Sequence, residues 1–145
     1  MLSDQFVADA LSQAGLWKNE NLYFFAQIVK PAWKVVLEST IYYANLFSKN
    51  AYAIINKVED GIAILPLKVD NTGITAVPQL SVLLPNDDIS GVVFKTSFLA
   101  KKVVIKTKSG KPSSFIVEAK NRAILQHERN FSVFMSFYCA KKASD

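Results

Sequence analysis

Apolar residues recur at helical spacing near the start of the chain. They are separated by steps of three or four residues, which places them on one face of a helix: Phe6, Val7, Ala10, Leu11 and Ala14. Ser3 precedes this stripe as an N-cap residue, and Gly15 follows it as a C-terminal stop. The pattern therefore predicts a short amphipathic helix over residues 4–14.

The next apolar segment, residues 22–47, shows no single period. We interpret residues 22–29 as a buried strand, although a buried helix has the same composition. After Pro31, which a first helical turn tolerates, one set of positions recurs at helical steps: Trp33, Val36, Leu37, Thr40, Ile41, Ala44 and Phe47. The β-branched residues in the same stretch favour strands, so helix and strand both stay open there.

From residue 51 the apolar pattern changes to that of strands. Residues 52–58 and 62–65 flank an acidic turn with Asp-Gly, which is a strong hairpin signal. Pro66 and Pro85 each break an apolar run. One more turn is predicted over residues 71–73. Three more strands are predicted over residues 89–95, 101–108 and 114–118. We expect about six antiparallel strands in all.

The last predicted element is a helix that begins after residue 122. Its apolar stripe consists of Phe131, Phe134, Met135 and Tyr138. Phe137 lies about 60–100° away from that stripe. We therefore expect Phe137 to pack against the N-terminal segment or against a second subunit.

Helices that are separate from a run of antiparallel strands indicate the α+β class. The predicted architecture is a small antiparallel β-barrel or sandwich that a C-terminal helix closes. Residues 1–50 are expected to form a helical or mixed extension packed on this core, which comprises residues 51–145. At 145 residues, the chain suits one such domain.

The composition favours a folded interior. Half of the residues are hydrophobic and 20% are charged, so extensive burial is expected. No apolar run reaches the roughly 18 residues that span a bilayer. The first residues lack the basic and apolar regions of a secretion signal. These features predict a cytoplasmic location.

Few residues are available for catalysis or metal binding. The chain has one cysteine, Cys139, and one histidine, His127, which excludes a site built on several such ligands. Asp87 and Asp88 follow Pro and Asn and indicate a turn. His127 and Glu128 are adjacent and so point to different faces of a helix. The sequence predicts no enzyme, no cofactor, no metal and no small-molecule substrate.

Positive charge is concentrated in the last third of the chain. Residues 91–145 carry eleven basic and three acidic side chains, a net charge of +8. Six lysines form the candidate anion-binding set: Lys95, Lys101, Lys102, Lys106, Lys108 and Lys111. They would either contact phosphates of a nucleic acid or an anionic membrane, or solvate a strand and protect an edge. We favour the solvated strand, because exposed aromatic residues do not alternate with the lysines.

Three segments carry a resemblance to a known family: LPNDDISGV over residues 84–92, FLAKKVVIKTKSGK over residues 98–111, and the helix over residues 127–134. They resemble the second half of bacterial pleckstrin-homology-like domains, and the whole resemblance covers about residues 50–140. It implies two antiparallel sheets packed at a steep angle, with the helix at the open end of a barrel. The family's lipid-binding members use a basic loop after the first strand, whereas residues 57–61 here carry one lysine and two acids.

The functional expectation is a non-enzymatic pleckstrin-homology-like module in a bacterial cytoplasm. It would act through protein partners or self-association, because residues 1–50 hold more apolar surface than a small barrel is expected to cover. The competing interpretation is that these residues complete the same core with an extra strand and helix. The candidate interface residues are Trp17, Phe24, Phe25 and Phe137. The alternative is an anion-binding module that uses the lysine-rich hairpin on nucleic acid or an anionic membrane.

Overall fold

The computed structural model describes residues 1–30, 51–97 and 99–144. Its helices and strands are α1 (Asp4–Gln13), β1 (Leu22–Lys30), β2 (Tyr52–Val58), β3 (Gly61–Asp70), β4 (Gly73–Ala76), β5 (Val82–Pro85), β6 (Ile89–Ser97), β7 (Ala100–Thr107), β8 (Ser113–Glu118) and α2 (His127–Ser144). The α+β class is confirmed. The helix or strand predicted over residues 31–47 lies outside the described residues. No helix in the described part is long and apolar enough to cross a membrane.

The described strands form one antiparallel sheet of eight. Its order is β4-β3-β2-β1-β8-β7-β6, and β5 pairs with the first half of β3. The expected closed barrel is wrong, because in this part of the chain the sheet is open. All four residues of β5 pair with β3, but none of them pairs with β6. The two ends of the sheet are therefore not joined.

The N-terminal helix forms as its pattern predicts. The Ser3 hydroxyl oxygen accepts a hydrogen bond from the Phe6 N–H at 3.0 Å, which caps the first turn. Gly15 follows the helix with a φ of +74°, a conformation that glycine adopts without steric cost. Val7, Ala10 and Leu11 are buried, so α1 packs its apolar stripe against the sheet.

The strand predicted over residues 22–29 is confirmed as β1, and its uniform apolar composition has a structural cause. The first three strands are covered on both faces over much of their length, so most of their side chains are buried whichever way they point. One cluster lies on the side of α2 and includes Phe24, Ile55, Ile64, Phe115 and Phe134. The other lies on the side of α1 and includes Leu11, Tyr23, Ile54, Leu65 and Ile124. We call these the inner and outer faces of the sheet.

The predicted break at Pro66 is wrong, because β3 continues through it to Asp70. The Pro66 carbonyl accepts a hydrogen bond from the Val77 N–H at 2.9 Å, so the backbone groups of Pro66 face the edge of β3 away from β2. On that edge β5 pairs as far as Ile64, and β4 begins its pairing at Leu67. The missing N–H of Pro66 therefore falls between two partners and leaves no ladder bond unmade.

The turns and strands predicted after residue 51 are present in the structure. The β2–β3 hairpin turns at residues 59–60, and β6, β7 and β8 pair in order. On β7, Val103 and Ile105 are buried, whereas Lys106 is exposed. In α2, Phe131, Phe134 and Tyr138 are buried and pack against the inner face.

Gly61 provides a test of the contact between β3 and β5. A Cβ at Gly61 would overlap the backbone carbonyl oxygen of Leu84 in β5, whereas a Cβ at Gly73 would meet nothing within 4 Å. Both glycines have positive φ, at +157° and +130°. We expect Gly61→Ala to reduce the free energy of unfolding by about 1–3 kcal/mol more than Gly73→Ala does, because only Gly61→Ala adds a backbone clash. Urea unfolding measures both, and equal losses would contradict this packing.

Candidate functional site

His127 occupies the point where strands β1 and β8 separate. The β1–β8 register pairs Gln27 with Ile116, so continuing it two residues further would pair Phe25 with Glu118. Instead, the imidazole of His127 stands between them. Its Nδ1 accepts a hydrogen bond from the Phe25 N–H at 3.1 Å, and its Nε2 donates to the Glu118 carbonyl oxygen at 2.7 Å. The ring therefore replaces ladder bonds that the separated strands no longer make.

Asn130, one turn further along α2, extends the same bridge. Its side-chain Nδ2 donates to the backbone carbonyl oxygen of Tyr23 at 3.0 Å, and Asn130 is buried. The first turn of α2 thus satisfies the β1 backbone beyond the end of β8. Buried backbone groups need such partners, because an unpaired one costs free energy comparable to a lost hydrogen bond.

These bonds determine the chemistry of His127. The Phe25 N–H is a donor, so Nδ1 carries no proton and Nε2 does. Burial lowers the pKa of His127, and the hydrogen bond to the Glu118 carbonyl and the Glu118 and Glu128 carboxylates act in the opposite direction. With both nitrogens bonded to backbone, the neutral ring has no lone pair left to accept a proton from a substrate.

Asp4 makes a second long-range connection that the sequence did not indicate. Its carboxylate accepts hydrogen bonds from the Tyr23 hydroxyl at 2.8 Å and from the Leu125 N–H at 2.7 Å. Burial and this carboxylate raise the pKa of Tyr23 to about 12. Asp4 therefore joins α1 to β1 and to the segment before α2. No local pattern reveals a contact that spans more than one hundred residues.

A cleft lies beside His127 on the outer face of the sheet. Its volume is about 320 Å³. The lining residues are Phe25, Gln27, Tyr52, Val69, Ile74, Ile116, Glu118, Asn121 and His127. Strand register explains the grouping, because Tyr52, Gln27 and Ile116 are direct neighbours across β2, β1 and β8. Of the candidate interface residues, Phe25 belongs to this cleft.

The lining of the cleft includes two aromatic rings and a carboxylate. The rings of Phe25 and Tyr52 stack with centroids 5.1 Å apart and an interplanar angle of 23°. Glu118 is exposed, and within the described residues its carboxylate forms no ion pair. The cleft therefore combines aromatic surface with a carboxylate that forms no ion pair with any described residue.

The six candidate anion-binding lysines do not form one cluster. Lys95 and Lys102 are directly opposite each other on β6 and β7, and Lys106 lies on the same face of β7. Lys101 lies on the other face, where its Nζ donates to the Thr96 hydroxyl at 3.2 Å. Lys108 and Lys111 are exposed near the β7–β8 turn, at the far end of β7. We call Lys95, Lys102 and Lys106 the lysine strip.

The other candidate interface residues differ in exposure. Phe24 is fully buried in the inner cluster, between the rings of Phe131 and Phe134, and so cannot form part of a surface. Trp17 is 39% exposed and Phe137 is 46% exposed. The Lys57 ammonium lies 4.2 Å from the centre of the Phe137 ring. Lys57 pairs with Leu22 at the start of β1, so Phe137 and Trp17 both lie near this end of the sheet.

The acidic turn after β5 has a structural use. The Asp88 carboxylate accepts hydrogen bonds from the N–H of Ser109, at 3.1 Å, and from its hydroxyl, at 2.7 Å. These two hydrogen bonds connect the β5–β6 turn to the β7–β8 turn. Among the described residues, no group of three or more His, Cys, Asp or Glu side chains could hold a metal ion.

Comparison with known proteins adds no assignment. No protein-family model, curated protein or solved structure matches this chain.

Proposed function

We propose that this chain is a non-enzymatic, pleckstrin-homology-like interaction module of a bacterial cytoplasm that acts through self-association or a protein partner. The resemblance in residues 84–134 supports the family, and the strand, hairpin and helix order of the structure is compatible with it. The bonding of both His127 nitrogens supports a non-catalytic role for this histidine, because neither nitrogen is left to act as a general base.

The observation that carries this proposal is the exposure of aromatic side chains near the start of β1. Trp17 and Phe137 flank this end of the sheet, and Val133, one turn before Phe137 on α2, is 42% exposed. Trp and Phe are enriched where proteins contact one another, since they bury a large area with few rotatable bonds. Trp17 contacts Tyr23 on the outer face and Phe137 contacts Lys57 on the inner face, so each is a separate exposed aromatic anchor at this end of the sheet.

Light scattering tests self-association. We expect the full-length protein to have a mass above the 16.1 kDa monomer at micromolar concentration. Combined Trp17→Ser and Phe137→Ser substitutions should return it to monomer, because they remove the aromatic anchors. Leu99→Asn is the matched control, since Leu99 is 79% exposed but lies in the β6–β7 turn. A monomeric wild-type protein would contradict self-association.

The lysine strip supports a second candidate function, the binding of a polyanion. Like charges directly opposite each other on neighbouring strands are destabilising, and Lys95 faces Lys102. Protection of an edge explains a lysine on β6, the terminal strand of the described sheet. It does not explain Lys102 and Lys106 on β7, which has strands on both sides.

Titration with labelled oligonucleotides and with anionic vesicles decides between these functions. We expect affinity weaker than micromolar at physiological salt, because three lysines, of which Lys102 is half-buried, release few counterions. Sub-micromolar binding that falls with salt and is lost in Lys95/Lys102/Lys106→Glu would establish the second candidate. Lys18/Lys68/Lys120→Glu makes the same charge change elsewhere and serves as the control.

A further inference from the structure

We propose that the cleft beside His127 binds the side chain of an arginine from a partner polypeptide. This inference rests on the proposed function as an interaction module and identifies the chemistry of one contact. The cleft offers three features that a guanidinium group on an aliphatic stem requires: a carboxylate, an aromatic surface and an apolar wall.

The carboxylate is that of Glu118. It lies at the end of β8, where the strand separates from β1, and its backbone carbonyl is held by His127. Within the described part of the chain no cation pairs with it. A carboxylate and a guanidinium match in geometry, because two parallel N–H groups of arginine reach the two carboxylate oxygens.

The aromatic surface is the stacked pair of Phe25 and Tyr52. Both side chains are half-buried, so part of each ring remains accessible from the cleft. A planar cation is attracted to the negative face of an aromatic ring, and arginine also stacks on it. The Gln27 side chain lies between Tyr52 and Ile116 in the same row across the sheet and adds an amide oxygen that accepts hydrogen bonds.

The apolar wall consists of Val69, Ile74 and Ile116. These residues suit the three methylene groups of an arginine stem. His127 does not oppose a cation, because its Nδ1 accepts a hydrogen bond from the Phe25 N–H and so carries no proton. Lys102 neighbours Ile116 across the sheet, but it forms no ion pair with Glu118 within the described residues. Among the described residues, no cation therefore competes with an external one for this carboxylate.

Nuclear magnetic resonance titration of the labelled full-length protein tests the proposal. The probes are two capped glycine-rich pentapeptides, one with a central arginine and one with citrulline, which has nearly the same shape without the charge. We expect the arginine peptide to bind about tenfold more tightly. Amide shifts should centre on Phe25, Glu118 and Tyr52. Equal affinity for both peptides, or shifts centred elsewhere, would overturn the proposal.

Two substitutions separate the cleft from nonspecific charge effects. Glu118→Gln should abolish the preference for arginine over citrulline, whereas Glu128→Gln, the same change on exposed α2 surface, should preserve it. Ethylguanidinium supplies the cation without a peptide; binding as tight as that of the arginine peptide would overturn the assignment to a polypeptide. Light scattering on the same samples reports self-association separately, so failure of either proposal is recognised without the other.

Discussion

Replacing Phe134 by alanine is expected to reduce the free energy of unfolding by about 3–5 kcal/mol, which is the usual range for a buried phenylalanine. Phe134 is fully buried, and its ring centroid lies 4.9 Å from that of Phe24, 5.0 Å from Tyr138 and 5.9 Å from Phe94. It therefore joins α2 to β1 and to β6. Small domains are stable by only about 5–15 kcal/mol, so the melting temperature should fall by many degrees.

Phe137→Ala on the same helix is the matched control for this experiment. Phe137 is 46% exposed, and its described ring contacts are with Lys57 and Tyr138. Its removal should cost about 1 kcal/mol or less, because exposed cation–π contacts are weak. Thermal and urea unfolding of both variants, at dilutions where light scattering shows only monomer, measure the difference without a contribution from self-association. Similar losses for the two variants would show that the buried face of α2 is assigned wrongly.

The local patterns predicted those parts of the fold that depend on neighbouring residues. The stripe of α1, the turn at residues 59–61 and the alternation of Val103 and Ile105 with lysines each arise within a few positions. Their periodicity reports which face of an element is buried. For β1 the pattern was ambiguous, because burial on both faces removes the alternation that identifies a strand.

The connectivity of the sheet could not be predicted in the same way. Pro66 would break β3 only if a neighbouring strand required a hydrogen bond from an N–H at that position. Whether it does depends on where β4 and β5 pair with β3. The expectation of a closed barrel failed for a related reason. Closure requires β5 to pair with β6 along the edge that does not pair with β3, and the sequence contains no local signal for that second pairing.

The sequence also did not predict the cleft beside His127. Phe25 was identified as an interface candidate, but nothing near it in the chain indicates Glu118 or His127 as neighbours. The three residues meet because β1 and β8 pair and then separate. The sequence pointed instead to lysines, whose charge is visible without knowing any contact.

Replacing His127 by leucine should destabilise the protein by about 2–6 kcal/mol. Leucine fills a similar volume, but it leaves the Phe25 N–H and the Glu118 carbonyl without partners. Each buried polar group that loses its partner costs about 1–3 kcal/mol. Gln126→Leu, at the exposed preceding position, should have little effect. Urea unfolding at neutral pH measures both variants.

The same histidine should make stability depend on pH. Burial lowers its pKa below the ordinary value of 6.5, so below that pH the unfolded chain binds a proton that the folded protein excludes. Stability should therefore be full above about pH 6.5 and fall as the pH drops towards the folded pKa, by at most about 1.4 kcal/mol per pH unit. His127→Leu should lack this component between pH 5.5 and 7, above the range where ordinary carboxylates titrate. Parallel pH profiles for the wild type and the variant would show that His127 is not held neutral between β1 and β8.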